Sequence, residues 1–236
     1  GTTRAETGHP VGQIFGYVHD RLFTEDDFKD VENGVLKDGV PKQTFTAKVR
    51  PGDIKYVDLD KNGFIDTYDQ MAIGGTENPE IVYGFGVNLR WKELDFGAMF
   101  QGIGRTWRIL SSNIMPASNK GSMYNIFDNY QDRWTVDNQS QDVFYPRADY
   151  GPNANNSQKS TWWLRNMSFL RLKNLELGYS CPKKWLQGFV ISNARVFVRG
   201  TNLLTFSKFN LWDPELATGD GAKYPAMKSV SVGFDI

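Results

Sequence analysis

The sequence predicts an all-β fold of antiparallel, up-and-down strands with long connections, the grammar of a membrane barrel wall. Three observations carry this. First, IVYGFGVNLRW at 81–91 puts Ile81, Tyr83, Phe85, Val87, Leu89 and Trp91 in one phase and Val82, Gly84, Gly86, Asn88 and Arg90 in the other. That is the two-residue period of a strand, and eleven residues suit a tilted membrane strand of about 9–11. Second, six predicted strands leave five links that run long, short, long, short, long. In an antiparallel meander the three long ones then fall on one side, the asymmetry of barrels with short periplasmic turns and long extracellular loops. Third, no run approaches the roughly 20 apolar residues of a spanning helix. Mean hydropathy is −0.48 although 14% of residues are aromatic, as alternating strands allow.

The elements follow in order. A first strand is expected within GQIFGYVHD, 12–20. TEDDFKDV near 24–31 reads as a capped helix, with Thr24 ahead of a cluster of acids. After 81–91, a tight turn at Lys92–Glu93 leads to Leu94, Phe96, Ala98 and Phe100 alternating with Asp95, Gly97, Met99 and Gln101. SMYNIFDNYQDRW, 122–134, reads as a short helix, and DYGPNANNSQKS, 149–160, as a turn-rich mobile segment. In FLRLKNLELGYS, Leu170 and Leu172 are in one phase and Leu175, Leu177 and Tyr179 in the other, which a bulge near Lys173–Asn174 reconciles. Strands within ARVFVRGTN, 194–202, and KSVSVGFDI, 228–236, close the pattern, with Val196 and Val198 opposite Arg195 and Arg199, and Val230, Val232, Phe234 and Ile236 opposite Ser229, Ser231, Gly233 and Asp235. The long links lie near 21–80, 107–164 and 205–225.

One link holds a motif. VDLDKNGFIDTYD, 57–69, spaces Asp58, Asp60, Asn62, Phe64, Asp66 and Asp69 as loop positions 1, 3, 5, 7, 9 and 12 of a calcium-binding loop, with Gly63 at position 6. Calcium needs six to eight oxygens, and position 7 supplies its backbone carbonyl. Glycine permits the sharp turn. Position 12 is Asp where the longer Glu is usual, so a weaker or smaller site is expected. No long amphipathic helices flank the loop, so calcium is expected to stiffen the link rather than open a groove.

Composition removes several functions. Lys plus Arg and Asp plus Glu are 27 each, a zero net charge that argues against nucleic acid as a partner. The single cysteine, Cys181, excludes an internal disulfide. Two histidines and no nucleophile, phosphate-loop or zinc spacing leave an enzyme nothing to stand on. The opening GTTRAETGHP is polar and lacks the apolar core of a secretory leader, which leaves open a cytosolic chain, a mature product or a segment of a longer protein. Trp134 and Trp212, in the long links, are candidates to face substrate. Trp162 and Trp163, just ahead of a strand, are expected in an interfacial aromatic girdle or in loop packing. Arg90, Arg195 and Arg199 lie opposite the apolar stripe, on the wet side of a barrel.

Taken together, GHPVGQIFGYVHDRLF, PGDIKYVDLDKNGFIDTYDQMAIGG, NPEIVYGFGVNLRWKELDFGAMFQG, SFLRLKNLELGYSCPKKW, ARVFVRGTNLLTFSKF and SVSVGFDI resemble the C-terminal third of SusC/RagA-like TonB-linked outer-membrane transporters of Bacteroidota. The resemblance covers nearly all of 1–236 in the family's order. It implies the last six strands of a 22-stranded plugged barrel, with the plug and TonB box absent here. It also implies import of glycan oligosaccharides or peptides, energised through TonB, under a SusD-like surface lipoprotein. The last strand resembles the terminal signal read by the barrel-assembly machinery. Family members commonly end in Phe; here Phe234 lies two before Ile236. The rival expectation is a free-standing, calcium-stiffened β-sandwich that binds carbohydrate. It requires the apolar faces to meet in one buried core, whereas the barrel requires them to face the lipid bilayer.

Overall fold

The computed structural model describes residues 6–111, 127–149, 151, 153–188 and 190–236. The chain divides into two compact units, Gly1–Glu77 with Arg108–Arg165, and Asn78–Trp107 with Asn166–Ile236.

The first unit is built from short strands: β1 (Gln13–Tyr17), β2 (His19–Leu22), β3 (Phe28–Asp30), β4 (Val35–Leu36), β5 (Lys42–Gln43), β6 (Ile54–Tyr56), β7 (Phe64–Ile65) and β8 (Gln70–Thr76). They pair as β1 with β8, β2 with β6 and β3 with β4, all antiparallel, and β5 with β7 in parallel. Frequent Gly, Pro and Asp break the ladders early. Packing of large side chains therefore holds the unit together. Leu22, Phe23, Ile54, Tyr56, Ile65, Tyr145 and Trp163 are at most 1% exposed.

Several expectations change here. The strand expected at 12–20 is β1 and β2, and β1 pairs with 70–76 instead of joining the long sheet. The helix expected at 24–31 is one 3-10 turn, Glu25–Asp27, after which the chain extends into β3. Asp27 bonds back to Thr24 N at 2.9 Å and closes the turn. Of the helix expected over 122–134, residues 122–126 lie outside the described residues, and Asp128–Gln131 is a single 3-10 turn. Of the segment 149–160, residues 150 and 152 lie outside the described residues; 153–160 is turn-rich, as expected, but Asn155 and Ser160 are fully buried in it. Trp162 and Trp163 are 8% and 1% exposed. Their indole N–H groups donate to Phe144 O at 3.2 Å and Asn156 O at 2.7 Å. They pack loops together; they do not form an interfacial girdle.

The second unit is a five-stranded antiparallel sheet. Its strands are β9 (Ile81–Trp91), β10 (Leu94–Gly104), β13 (Phe169–Ser180), β14 (Arg195–Ser207) and β15 (Ser229–Asp235), in the order β15-β14-β13-β10-β9. Two short strands, β11 (Trp107–Ile109) and β12 (Leu164–Asn166), lie where the chain passes between the units. The one α-helical turn among the described residues, α1 (Lys183–Leu186), sits in the β13–β14 link. The sheet therefore contains five of the six expected strands. The Lys92–Glu93 turn and the 181–194 link join strands at one end of the sheet, and the long connections 105–168 and 208–228 leave from the other. That matches the expected parity for the four links within the sheet; the expected long link 21–80 is not one of them, because β1 lies outside the sheet.

The register sorts the two faces. The row Trp91, Leu94, Tyr179, Val196, Phe234 crosses all five strands, and so does Leu89, Phe96, Leu177, Val198, Val232. The alternate row Asn88, Gly97, Glu176, Arg199, Ser231 lies on the opposite face. The pairing of β13 with both neighbours slips between Leu172 and Asn174, at the expected bulge. Lys173 is the extra residue there, and the slip brings both leucine phases onto one face. On β14 the same step is absorbed at Asn202, whose φ is 53°.

Candidate functional site

Three places carry chemistry. The first is the aspartate loop. Carboxylate oxygens of Asp58, Asp60 and Asp69 lie within 4.8 Å of one another. Gly63, at φ 87°, makes the sharp turn and donates its N–H to Asp58 Oδ2 at 2.8 Å. Asn62 Nδ2 donates to Asp60 Oδ2 at 3.0 Å, and Phe64 N to Asn62 Oδ1 at 2.8 Å. Asp66 caps the Thr67–Asp69 turn, accepting from Tyr68 N. Asp69 is fully buried, and its carboxylate accepts from Leu59 N at 2.7 Å and Asp66 N at 2.8 Å. Asp58 Oδ1 is buried without a hydrogen-bond partner. Acceptors converge here with no cationic side chain bonded to them among the described residues. Hard-oxygen chemistry of this kind suits calcium, and the residues present fit the ion.

Beside the loop, a buried carboxylate ties distant segments of the first unit together. Asp53 is 1% exposed. It accepts from Arg50 N at 2.8 Å, Asn156 Nδ2 at 2.9 Å, Asn153 Nδ2 at 3.1 Å and Arg147 Nε at 3.2 Å. Burial pushes its carboxyl above the usual range, against the pull of Arg147 and these donors. Asp27 goes the other way. Burial raises it, but bonds from Arg21, Thr24 and Lys55 together hold it at about 2.

The second place is the polar face of the sheet. Arg195 Nη2 lies 2.5 Å from both Asp95 Oδ2 and Glu176 Oε1, and Arg199 Nε donates to Glu176 Oε2 at 2.6 Å. Asp95 and Arg195 are on β10 and β14, so their bond must cross β13. Gly178 lets it: a Cβ there would collide with both side chains. A groove of about 830 Å³ lies along this face over Gly84, Gly86 and Gly97, where missing side chains let another molecule approach the backbone closely.

The third place is at the far end of the same face. Arg171, 1% exposed, pairs with Asp213 and with Glu215 at 3.0 Å, and Lys173 reaches Glu215 at 2.8 Å. Asp213 also caps the 3-10 turn Pro214–Leu216. These pairs hold the 208–228 link down on the sheet. The sequence hid them because acid and base are 42 residues apart and the bulge at Lys173 scrambles the phase of the charges.

The aromatic candidates divide. Trp134 is 5% exposed, and its ring fills the space over Gly52, where a Cβ would overlap it. A ring so placed packs loops and offers a solute little surface. Trp212 is half-buried, edge-on to Phe209 at 4.9 Å. At the chain's end, Phe234 and Ile236 are 73% and 74% exposed.

The apolar face decides what the sheet is for. Phe85 is 55% exposed, Leu89 60% and Val232 73%, so the face that a sandwich would bury is open. No family model matches the chain. Curated relatives include TonB-dependent receptor P26 of Formosa agariphila, 31% identical over 200 residues, which cover 78% of this chain and 19% of the relative. TonB-dependent receptor SusC of Bacteroides thetaiotaomicron is 24% identical over 203 residues, with coverage of 84% and 19%. Among solved structures, the RagAB peptide importer in its open-open state aligns at TM-score 0.66 and 26% identity, over 94% of this chain and 22% of that one. A further structure of the RagAB peptide transporter aligns at 0.66 and 29%, over 98% and 23%. The chain resembles SusC/RagA-like TonB-dependent transporters. The resemblance extends over most of its length, and its strand-rich, almost helix-free architecture is that of a fragment of such a barrel. It spans about a fifth of the length of the curated relatives it matches.

Proposed function

We propose that this chain forms the last strands of a 22-stranded outer-membrane barrel that imports nutrient oligomers, glycan or peptide, with energy from TonB. The carrying observation is the row structure of the sheet: apolar side chains in register across five strands, uncovered, back to back with glycine, serine and paired charges. A bilayer rewards such a wall on one side and a wet lumen on the other. The edges at β9 and β15 fit a wall that continues, since open edges are not tolerated in lipid. The chain's role on this account is transport, not catalysis. Its partners are the bilayer, a SusD-like surface lipoprotein over the long-link end, TonB through a plug elsewhere in the polypeptide, and the assembly machinery reading Phe234 and Ile236.

Uptake by intact cells tests this. Labelled oligopeptides and oligosaccharides are offered to cells with and without the full-length polypeptide. Import that disappears on its deletion and on collapse of the proton gradient supports the proposal. Import unchanged by both contradicts it.

The aspartate loop, on the same account, takes one calcium through Asp58, Asp60, Asn62, the Phe64 carbonyl, Asp66 and Asp69. The orphaned Asp58 oxygen supports this. Bound calcium would supply a fixed positive charge that locks the loop. Terbium luminescence of the full-length protein reads the site directly: a saturable signal, displaced by calcium and lost in Asp58→Asn with Asp60→Asn, is expected. An equal signal in the variant contradicts it.

A further inference from the structure

The aspartate loop contains a strand. β7 (Phe64–Ile65) pairs in parallel with β5 (Lys42–Gln43). Gly63 O accepts from Lys42 N at 3.0 Å, and Ile65 O accepts from Thr44 N at 3.3 Å and Thr44 Oγ1 at 2.6 Å. Carbonyls two residues apart thus face the 42–44 segment. Successive residues of an extended strand turn their backbone groups to opposite edges, so those of Phe64 face the loop. Its N–H shows the direction, since it donates to Asn62 Oδ1, one of the loop's acceptors, at 2.8 Å. A pair of two-residue strands is too short to hold without further support. On the loop edge, carboxylate oxygens of Asp58, Asp60 and Asp69 crowd within 4.8 Å, and Asp58 Oδ1 is buried without a partner. Like charges so placed push the loop open unless a cation sits among them. On the other edge, Phe45 follows Thr44, and its ring lies 4.9 Å from Tyr17 and 5.9 Å from Tyr56. Those two rings are 3% and 1% exposed. Tyr56 ends β6, just ahead of Asp58, and the Tyr17 hydroxyl accepts from Gln70 Nε2, the residue after Asp69, at 3.0 Å. Both ends of the loop and the 42–45 segment therefore meet at one ring cluster.

We infer that calcium in the aspartate loop latches a separate segment, 42–45, onto the first unit, and that release of this segment weakens the ion in return. The inference rests on the calcium reading given above and adds to it the element that the ion controls. Phe64 is the bracket. A cation among the loop's acceptors holds the backbone groups of Phe64 on the loop edge, which aims Gly63 O and Ile65 O at Lys42 and Thr44. In the empty loop the carboxylates repel, the two ladder carbonyls lose their aim, and Phe45 leaves Tyr17 and Tyr56. Linkage makes the effect mutual: what the ion adds to docking, docking adds to the ion's affinity. The latch lies wholly within the first unit, so it holds or fails independently of import.

Hydrogen exchange of the full-length protein in detergent, with and without calcium, tests the inference beside a terbium titration of the same samples. Exchange in peptides covering 42–46 should slow as calcium is added. Full coupling sets the limit, about 100-fold at a hundred times the dissociation constant. Thr44→Val removes the hydroxyl bond to Ile65 O and leaves every proposed ligand in place. It should weaken terbium binding by about 2- to 10-fold, the worth of one hydrogen bond, and Thr44→Ser, which keeps the hydroxyl, should restore it. Unaltered protection of 13–17 and 50–57 in both variants will show that the unit is folded. A terbium signal in wild type with less than a twofold calcium effect on 42–46 overturns the latch and leaves the calcium reading standing. So does a terbium affinity that is equal in wild type and Thr44→Val. Absence of any saturable terbium signal in wild type overturns the calcium reading, and the latch with it.

Discussion

Replacing Asp53 by Asn changes one atom and should loosen much of the first unit. Oδ1 accepts from Asn153, Asn156 and Arg147 Nε; Oδ2 accepts from Arg50 N and Arg147 Nη2. An amide must put its NH2 in one of these positions. At the Oδ2 position it faces two donors, and at the Oδ1 position three. The better orientation therefore leaves two buried donors against a donor, each worth about 1–3 kcal/mol. Arg147 keeps Asp149 at 2.8 Å, which offsets part of the loss of charge pairing. A net cost of about 2–4 kcal/mol follows. Because a factor of ten is about 1.4 kcal/mol, amide exchange should speed roughly 30- to 1000-fold. The effect should appear in peptides covering 50–57 and 153–163, where Ile54 N bonds Asn156 and Tyr56 OH bonds Asn155 O. Hydrogen exchange followed by mass spectrometry on the full-length protein in detergent reads this directly. Peptides from β9, β10 and β13 should be unchanged. Unaltered protection at 50–57, or loss spread equally over both units, would refute the reasoning.

Further outcomes follow from the same structure. Asp27 is held at about 2, below its ordinary 3.8, so the folded state prefers it ionised. Its contribution is fully present above pH 3.8 and is lost as pH falls from there through 2. Allowing for solvent screening around the 35% exposed Arg21, that is about 1–2 kcal/mol, and exchange in 20–30 should rise over that window in wild type but not in Asp27→Asn. Arg171→Met should release the 208–228 link, since breaking a buried pair costs about 3–5 kcal/mol; limited proteolysis should cut within 212–226 while the strands stay protected. Val87→Lys, on the apolar face near the middle of β9, should lower the stability of the inserted barrel by about 2–4 kcal/mol. Asn88→Lys, one residue away on the polar face, should have little effect in a urea unfolding series.

How far these features can be read from the chain depends on the range of the interactions behind them. The alternation at 81–91 and the phase slip at Lys173–Asn174 are legible because neighbours in sequence decide which face a strand residue takes. Link lengths reveal parity for the same reason. The first unit has no such signature. Its strands are two to seven residues long and too short to show a period. β1 joined 70–76 rather than the sheet because its packing partners, not its pattern, set its place. Asp53 reaches Arg147, Asn153 and Asn156 across 94 to 103 residues, so no local pattern marks it as a hub. Trp162 and Trp163 look like interfacial rings beside a strand, and only the burial of their N–H groups against Phe144 and Asn156 carbonyls places them in a core. The ligand spacing of the aspartate loop was local, and the fold brings Asp58, Asp60 and Asp69 together as that spacing requires.

Spin labels along β9 and β14 test the membrane wall most directly. In a background in which Cys181, the one cysteine of these 236 residues, and any cysteine elsewhere in the full-length polypeptide are replaced by Ser, single cysteines are placed at Val87, Asn88, Leu89, Val198 and Arg199 of the full-length protein in lipid vesicles. Collision with apolar oxygen should be high at 87, 89 and 198, and collision with a water-soluble nickel complex high at 88 and 199, alternating residue by residue. Labels at 87, 89 and 198 shielded from oxygen and nickel alike would mean that another layer of protein covers the apolar rows, and the barrel wall would be the wrong description.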